Sequence, residues 1–415
     1  MKTSLSKEQL KILFKRGLKL VLISITLFLI IVPASRFEIM TDFVDRKRLM
    51  AKASEYSKIN LENELKEVMF QEKKVEHESL RGIYITANMA ASRHFQPLVD
   101  ALIESGGNFI VMDIEISGGQ LAFVPEDPWL AAKNPGSSTL SNLKAIIQDL
   151  HKKDIYVAAR QVVFNDPYAG QRYPEWRIKY KHWDGLFDYR WLDASNPEVQ
   201  AYNLAITKEV AKLGFDEIQY DYIRFPDEYR NNLEFHYDET QMEAWEVINN
   251  FLAEAHKVTQ EYDIKLGMDV FGAAIWGNVD WQIVGQNIPE VAKNVDVIYP
   301  MTYPSHVSPG YYGFENPWGD PRSFVRESIK KFVEAADGNA EIRTWIQGFP
   351  LHAPNFGDWY MQEQVKGTYE AGANDWVIWS PGNKYGYSWS SMRMLPPAPI
   401  LEGEPDPEPE AEENR

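Results

Sequence analysis

The chain has 415 residues, which is enough for one large domain with appended segments. It contains no cysteine, so disulfides, thiolate metal sites and a cysteine nucleophile are excluded. The formal net charge of −17 argues against a nucleic acid partner, because phosphate binding requires a basic surface.

The N-terminal segment combines a basic leader with an apolar core. Residues 1–19 carry six Lys or Arg residues against one Glu, and Leu20–Val32 contains no charge. This pattern predicts an export signal at residues 20–35. We favour an uncleaved single-pass anchor in the cell membrane; a cleavage site at Val32-Pro33-Ala34 would instead give a secreted protein. In both cases the basic flank stays in the cytoplasm and the remainder is exported.

Two further segments lie outside the expected globular domain. Residues 36–79 are charged and show no apolar stripe, so we interpret them as a stalk between membrane and domain. Residues 396–415 alternate Glu, Asp and Pro, and cannot bury enough apolar surface to fold. They predict a disordered acidic tail, which leaves residues 80–395 as the folded domain.

This domain alternates apolar strands with amphipathic helices. The predicted strands are Gly82–Thr86, Asn108–Ile114, Ile155–Val163, Glu217–Tyr220, Lys265–Val270, Val295–Tyr299, Arg343–Gln347 and Trp376–Trp379. The predicted helices are Phe95–Ser105, Ser141–Lys152, Pro197–Leu213, Glu239–Glu261, Asp280–Lys293, Pro321–Ala336 and Tyr360–Ala371. Such alternation predicts a parallel sheet covered by helices. Eight units favour a (β/α)₈ TIM barrel. An open doubly wound sheet is the alternative, but no Gly-rich phosphate loop follows the first strand.

Two strands end on a carboxylate. Asp221 follows the strand Glu217–Tyr220, and Asp269 lies at the end of the next strand. The C-terminal ends of barrel strands hold the catalytic groups of (β/α)₈ enzymes. Glycoside hydrolysis uses one ionised and one protonated carboxyl group, and the aromatic content of 13% suits sugar stacking. The pair therefore predicts a glycoside hydrolase.

Four ordered motifs also resemble a known family. They are Arg81-Gly82-Ile83-Tyr84, the run from Gln219 to Pro226, Asp269-Val270-Phe271-Gly272, and the run from Tyr299 to His306. They are similar to glycosyl hydrolase barrels first catalogued as a domain of unknown function, in the glycoside-hydrolase-like group related to α-amylase-type barrels. The resemblance implies a nucleophile on strand four, Asp221, and an acid/base on strand five, Asp269. The α-amylase barrels carry Glu rather than Asp at the second position.

Other polar and aromatic side chains near strand ends are candidate substrate-binding residues. Arg224 could hold Asp221 ionised or bind a substrate hydroxyl or carboxylate; alternatively, the two form a structural ion pair. Asp113 and Glu115 could reach substrate, or could bond the adjacent glycine turn. The remaining candidates are Tyr299, Tyr303, His306, Trp345, Gln347 and Trp379. Tyr299 could instead pack under the barrel rim, and the two tryptophans could simply fill the top of the barrel.

Together these observations predict an exported hydrolase of envelope or extracellular polysaccharide or oligosaccharide. A catalytically inactive glycan-binding barrel that acts as an envelope scaffold is the alternative. A polysaccharide deacetylase would require a His/Asp metal cluster, and the histidines lack ligand spacing. We expect no cofactor and no catalytic metal; a Ca²⁺ ion bound by carboxylates of a loop is a remaining alternative.

Overall fold

The structure, a computed structural model, describes residues 77–227 and 232–394. The predicted leader, the apolar segment 20–35, nearly all of the stalk and the acidic tail lie outside these residues. Within the described ranges, no helix is both long and apolar enough to cross a membrane.

Eight parallel strands form a closed barrel. We label them β1 to β8 in chain order: Arg81–Ile85, Phe109–Asp113, Tyr156–Val162, Glu217–Asp221, Lys265–Phe271, Val297–Met301, Glu341–Gln347 and Asp375–Trp379. Each strand pairs with its neighbours in chain order, and β8 closes on β1 through Arg81–Trp376 and Gly82–Val377. The predicted (β/α)₈ fold is confirmed, and the open-sheet alternative is wrong.

Helices surround the barrel. Their bounds are Ala87–Ala90, Phe95–Glu104, Pro128–Lys133, Leu143–His151, Pro167–Arg172, Pro197–Ala211, Ala244–Gln260, Asn278–Val284, Ile288–Val291, Pro321–Ala336, Asp358–Glu370 and Trp389–Met392. Several begin with an Asp-Pro or Asn-Pro pair. In Asp166-Pro167, for example, the Asp side chain accepts a hydrogen bond from the Ala169 N–H. The proline occupies the first turn of the helix, where a backbone N–H would have no partner within the helix. The predicted helix 280–293 is instead two helices, because Gly285 adopts φ 77° and ends the first.

Short secondary-structure elements lie on the C-terminal side of the barrel. A two-stranded antiparallel ribbon joins Lys179–Tyr180, in the loop after β3, to Leu233–Glu234, in the loop after β4. Short 3₁₀ turns at Gly272–Ile275, Pro304–His306 and Tyr311–Gly313 shape the loops after β5 and β6. These long loops lie at the strand ends where (β/α)₈ enzymes build their sites.

The side chains of β4 show how the barrel interior is layered. Ile218 and Tyr220 belong to the main apolar cluster, and the Tyr220 ring stacks 5.9 Å from Phe251 of the covering helix. The alternate residues of this strand carry polar side chains into the interior. At the lower level Glu217 is ion-paired with Arg343 of β7 at 2.7 Å, with both side chains essentially unexposed. The interior-facing side of β4 is therefore polar along its whole length, from Glu217 at the base of the barrel to Asp221 at its C-terminal end.

Candidate active site

A cavity of about 440 Å³ opens at the C-terminal ends of the strands. Its lining includes seven of the residues expected from the sequence: Asp221, Arg224, Asp269, Tyr303, His306, Trp345 and Trp379. Arg160, Tyr222, Phe271, Tyr312 and Phe349 are further lining residues. The cavity thus brings together groups that are far apart in the chain.

The two proposed catalytic carboxyl groups lie on neighbouring strands. Tyr220 of β4 pairs with Met268 of β5, and Asp221 and Asp269 are the residues that follow this pair. Neighbouring strands are about 4.8 Å apart. Both side chains line the same cavity, so the two carboxyl groups face the same space.

Asp221 is held by several N–H donors. The guanidinium of Arg160 donates to Asp221 Oδ2 from Nε, at 3.1 Å, and also from Nη2. The backbone N–H of Tyr222 donates to Asp221 Oδ1 at 2.6 Å. Tyr222 has φ 52°, in the left-handed region that is uncommon for a bulky residue. This strained turn directs the N–H back to the carboxyl group and fixes the orientation of Asp221.

Arg160, in the middle of β3, bridges two carboxylates. Its Nη1 donates to Asp113 Oδ1 at 2.6 Å, and the Tyr84 hydroxyl donates to the other Asp113 oxygen. Burial opposes the charge of Arg160, but the carboxylates of Asp221 and Asp113 outweigh it and raise the pKa of the guanidinium well above its usual value. Arg160 is therefore a permanent cation whose charge is matched by buried anions.

Asp269 has a different environment. It is 1% exposed, and its Oδ1 accepts the indole N–H of Trp345 at 2.6 Å and the Gln219 amide at 2.7 Å. Burial raises the pKa of Asp269 well above its usual range, and the neighbouring Asp221 charge raises it further, against the opposing effect of the Trp345 hydrogen bond. Asp269 is therefore a carboxylic acid that holds its proton as the pH rises, which suits a proton donor.

Aromatic groups form the wall of the cavity. Tyr303 packs 5.2 Å from the His306 ring and 5.7 Å from Phe349, while the Trp379 ring lies 4.1 Å from Tyr84. Burial and the adjacent His352 lower the pKa of His306, so this side chain is neutral at pH 7. Flat apolar rings beside a pair of carboxyl groups are a suitable surface for a sugar ring.

Arg224 lines the cavity, but it is not the partner of Asp221. Its Nη1 donates to the carbonyl of Phe225 at 3.0 Å and lies 3.5 Å from Asp227 Oδ1. The expectation that Arg224 pairs with Asp221 is therefore corrected, because Arg160 fills that position.

Four predicted substrate-binding residues do not line the cavity. Asp113 is one layer away, bonded to Arg160 and Tyr84. Glu115 is buried near Asp166, and burial together with the Asp166 charge raises its pKa well above its usual range.

The other two serve the framework. Tyr299 donates from its hydroxyl to Glu217 at the base of the barrel. Gln347 is buried beneath the loops, where its Oε1 accepts the Ser305 N–H at 3.0 Å and its amide donates to the Phe349 and Leu351 carbonyls. Neither Tyr299 nor Gln347 lines the cavity, so the expectation of direct substrate contact is corrected. Tyr299 bonds at the base of the barrel, and Gln347 holds the backbone of the lining residues Phe349 and Leu351.

Sequence reasoning missed Arg160, Gln219, Tyr84 and Tyr222. Arg160 carried a usable signal, since a charged residue within an apolar strand of a barrel must point to a buried partner. Gln219 and Tyr84 lie within two of the quoted motifs, but their roles depend on contacts with other strands, which no local pattern predicts. Within residues 77–227 and 232–394, no three His, Asp or Glu side chains are grouped so that they could hold a metal ion.

Comparisons with known proteins agree with the barrel fold. The glycoside hydrolase domain of PgaB (BpsB) from Bordetella bronchiseptica superposes with a TM-score of 0.55 and 13% identity, covering 74% of this chain and 95% of that one. The catalytic domain of β-amylase from Paenibacillus polymyxa gives a TM-score of 0.52 and 9% identity over 76% of this chain and 96% of that one. At these identities the likeness shows the barrel fold alone.

A hypothetical protein from Ruminiclostridium thermocellum is 30% identical over 46% of this chain and 97% of that one, with a TM-score of 0.41. A search of the curated proteins found no match. The DUF4015 family, described as "Putative glycosyl hydrolase domain", matches residues 82–385. Because this match spans nearly the whole barrel and well over half of the chain, the chain belongs to that glycosyl hydrolase family.

Proposed function

We propose that this protein is an exported glycoside hydrolase of envelope or extracellular polysaccharide. Asp221 is the nucleophile, or the carboxylate that stabilises the cationic transition state, and Asp269 is the general acid/base. The observation that carries this proposal is the contrast between the two neighbouring carboxyl groups. Asp221 accepts N–H donors on both oxygens, whereas the pKa of Asp269 is raised by burial and by the Asp221 charge.

The reaction follows from these two states. The protonated Asp269 donates its proton to the glycosidic oxygen as the bond to the anomeric carbon breaks, and Asp221 attacks or stabilises that carbon. In the second step Asp269, now ionised, takes a proton from the water that releases the sugar. Carboxyl groups separated by about 5 to 5.5 Å retain the anomeric configuration. Side-by-side positions on strands about 4.8 Å apart are compatible with this shorter separation, and the anomer that the enzyme first releases would distinguish retention from inversion.

The decisive experiment is a screen of the full-length chain against envelope and plant polysaccharides. Asp221→Asn removes the negative charge and nearly preserves shape, so it should abolish turnover while folding and glycan binding stay intact. Asp269→Asn should impair substrates with poor leaving groups far more than activated aryl glycosides, because only the former require strong protonation. Near-normal kcat in Asp221→Asn on a confirmed substrate would exclude the assignment.

A glycan-binding barrel without turnover is the second candidate. The aromatic wall of Tyr303, Trp345 and Trp379 favours binding with or without catalysis. Binding of the same glycan by wild type and Asp221→Asn, with no product from either, would establish this function instead.

Export is the part of the proposal that rests on the sequence alone. The basic leader and the apolar run 20–32 support a cytoplasmic N-terminus and an external barrel. Protease added to intact cells, whose outer envelope is permeable to it while the cytoplasmic membrane is closed, should degrade the barrel or its linker. Full protection that ends only on lysis would contradict export.

A further inference from the structure

The guanidinium of Arg224 occupies an aromatic box at the edge of the cavity. Its central carbon lies 4.9 Å from the Trp191 ring, 5.2 Å from Phe271 and 5.5 Å from Tyr222. Arg224 is 9% exposed and lines the cavity that also contains Asp221. The rings hold a cation in place through cation–π attraction and restrict its side-chain freedom.

Among the described residues, the one anionic partner of this buried cation is weak. Asp227 is 57% exposed, and its Oδ1 lies 3.5 Å from Arg224 Nη1, a separation beyond a good charge-assisted hydrogen bond. A surface pair of this kind contributes little and is screened by salt. Arg160, in contrast, contacts two buried carboxylates. The charge of Arg224 is therefore poorly compensated.

Apart from Arg224, the ionised groups around the cavity pair with one another. The Asp221 carboxylate is matched by Arg160, Asp269 retains its proton, and His306 is neutral at pH 7. Among the described residues that line the cavity, Arg224 is the cation without a buried carboxylate partner. A buried or partly buried cation is costly unless an anion pairs with it.

We propose that the cavity binds an anionic glycan and that Arg224 pairs with the acidic group of the sugar. This inference rests on the proposed function, because it takes a sugar as the occupant of the cavity. A uronic acid carboxylate and a phosphate ester share the required chemistry, since both present oxygens that match the planar fork of a guanidinium. Binding displaces Asp227 and gives Arg224 a desolvated anionic partner.

The test compares matched charged and neutral sugars on the full-length chain. The probes are nitrophenyl glucuronides and galacturonides of both anomers, the corresponding neutral hexosides, and their 6-phosphates. Dissociation constants come from calorimetry and kcat/KM from release of nitrophenol. We expect one charged series to be favoured over its neutral counterpart by about 10- to 100-fold, the worth of one hydrogen bond to a charged group. The favoured series identifies the carboxylate or the phosphate as the acidic group.

Arg224→Gln should remove this preference, so that the charged and neutral series bind with the same affinity. Arg326→Gln, on the outer helix Pro321–Ala336, is the matched control and should keep the preference. Asp227→Asn removes the competing carboxylate without disturbing the core, so it should strengthen binding of the charged series. The inference is overturned if wild type binds neutral sugars as well as or better than charged ones, or if the preference for charged sugars survives in Arg224→Gln. Weaker binding of the charged series by Asp227→Asn than by wild type also contradicts it.

The outcomes separate this inference from the proposed function. Hydrolysis of neutral glycans that depends on Asp221, without preference for charged ones, would reject the anionic substrate and keep the hydrolase. Binding of charged sugars that depends on Arg224, without turnover by any variant, would reject the hydrolase and keep the anionic ligand. If the protein neither binds nor hydrolyses any probe or panel glycan, both the hydrolase and the anionic ligand are rejected.

Discussion

The hydrogen bond from Trp345 to Asp269 lowers the upper pH limit of the proposed activity. The indole N–H lies 2.6 Å from Asp269 Oδ1, and both side chains are buried. Trp345→Phe keeps an aromatic ring in the barrel and removes the donor. Because this hydrogen bond favours the ionised carboxylate, its loss should raise the pKa of Asp269 above its already elevated value.

The size of the shift follows from the contact. A hydrogen bond to a charged group contributes about 1.5 to 3 kcal/mol, and one pKa unit corresponds to about 1.4 kcal/mol. Gln219 donates to the same oxygen and remains in the variant, so the shift should lie at the lower end of this range. We expect an increase of about one unit.

The assay is the pH dependence of kcat on a confirmed substrate. Activity requires protonated Asp269, so it falls as the pH rises through the pKa of this group. Trp345→Phe should therefore stay active to a pH about one unit higher than wild type. Trp379→Phe is the matched control, because it loses an indole that packs on Tyr84 and should leave the upper midpoint unchanged. An unchanged or lower midpoint in Trp345→Phe would refute the reasoning.

Two further predictions concern stability. Arg160→Met leaves Asp113 and Asp221 without their buried cation and should lower the free energy of unfolding in urea by about 3 to 5 kcal/mol. Arg190→Met, at a solvent-exposed pair with Asp188, should lower it far less. Similar losses in the two variants would contradict this account. Asp269→Asn should raise the Tm relative to wild type by a few degrees at pH 7 and not at pH 3. The pKa of Asp269 is higher in the folded than in the unfolded protein, so ionisation of Asp269 destabilises the wild-type fold only as the pH rises above about 4. An equal difference in Tm between variant and wild type at both pH values, measured by calorimetry, would exclude this explanation.

The sequence was sufficient for the barrel because its signals are local. The apolar strands and amphipathic helices follow from backbone periodicities within single segments, and β4 and β5 were placed to within one residue of their observed bounds. The helix predicted for residues 280–293 was wrong in one respect, since Gly285 ends it early. The position of Asp221 and Asp269 at neighbouring strand ends also follows from chain order, because consecutive strands of such a barrel are adjacent in space.

The chemical character of these carboxyl groups came only from the closed barrel. Trp345 donates to Asp269 across 76 residues of sequence, and Arg160 reaches Asp221 across 61. Side chains that point into the barrel contact partners from several strands, and no periodicity within one segment predicts those contacts. The sequence by itself determined which residues stand at the strand ends; barrel closure decided that Arg160 rather than Arg224 contacts Asp221, and that Asp269 is buried deeply enough to keep its proton.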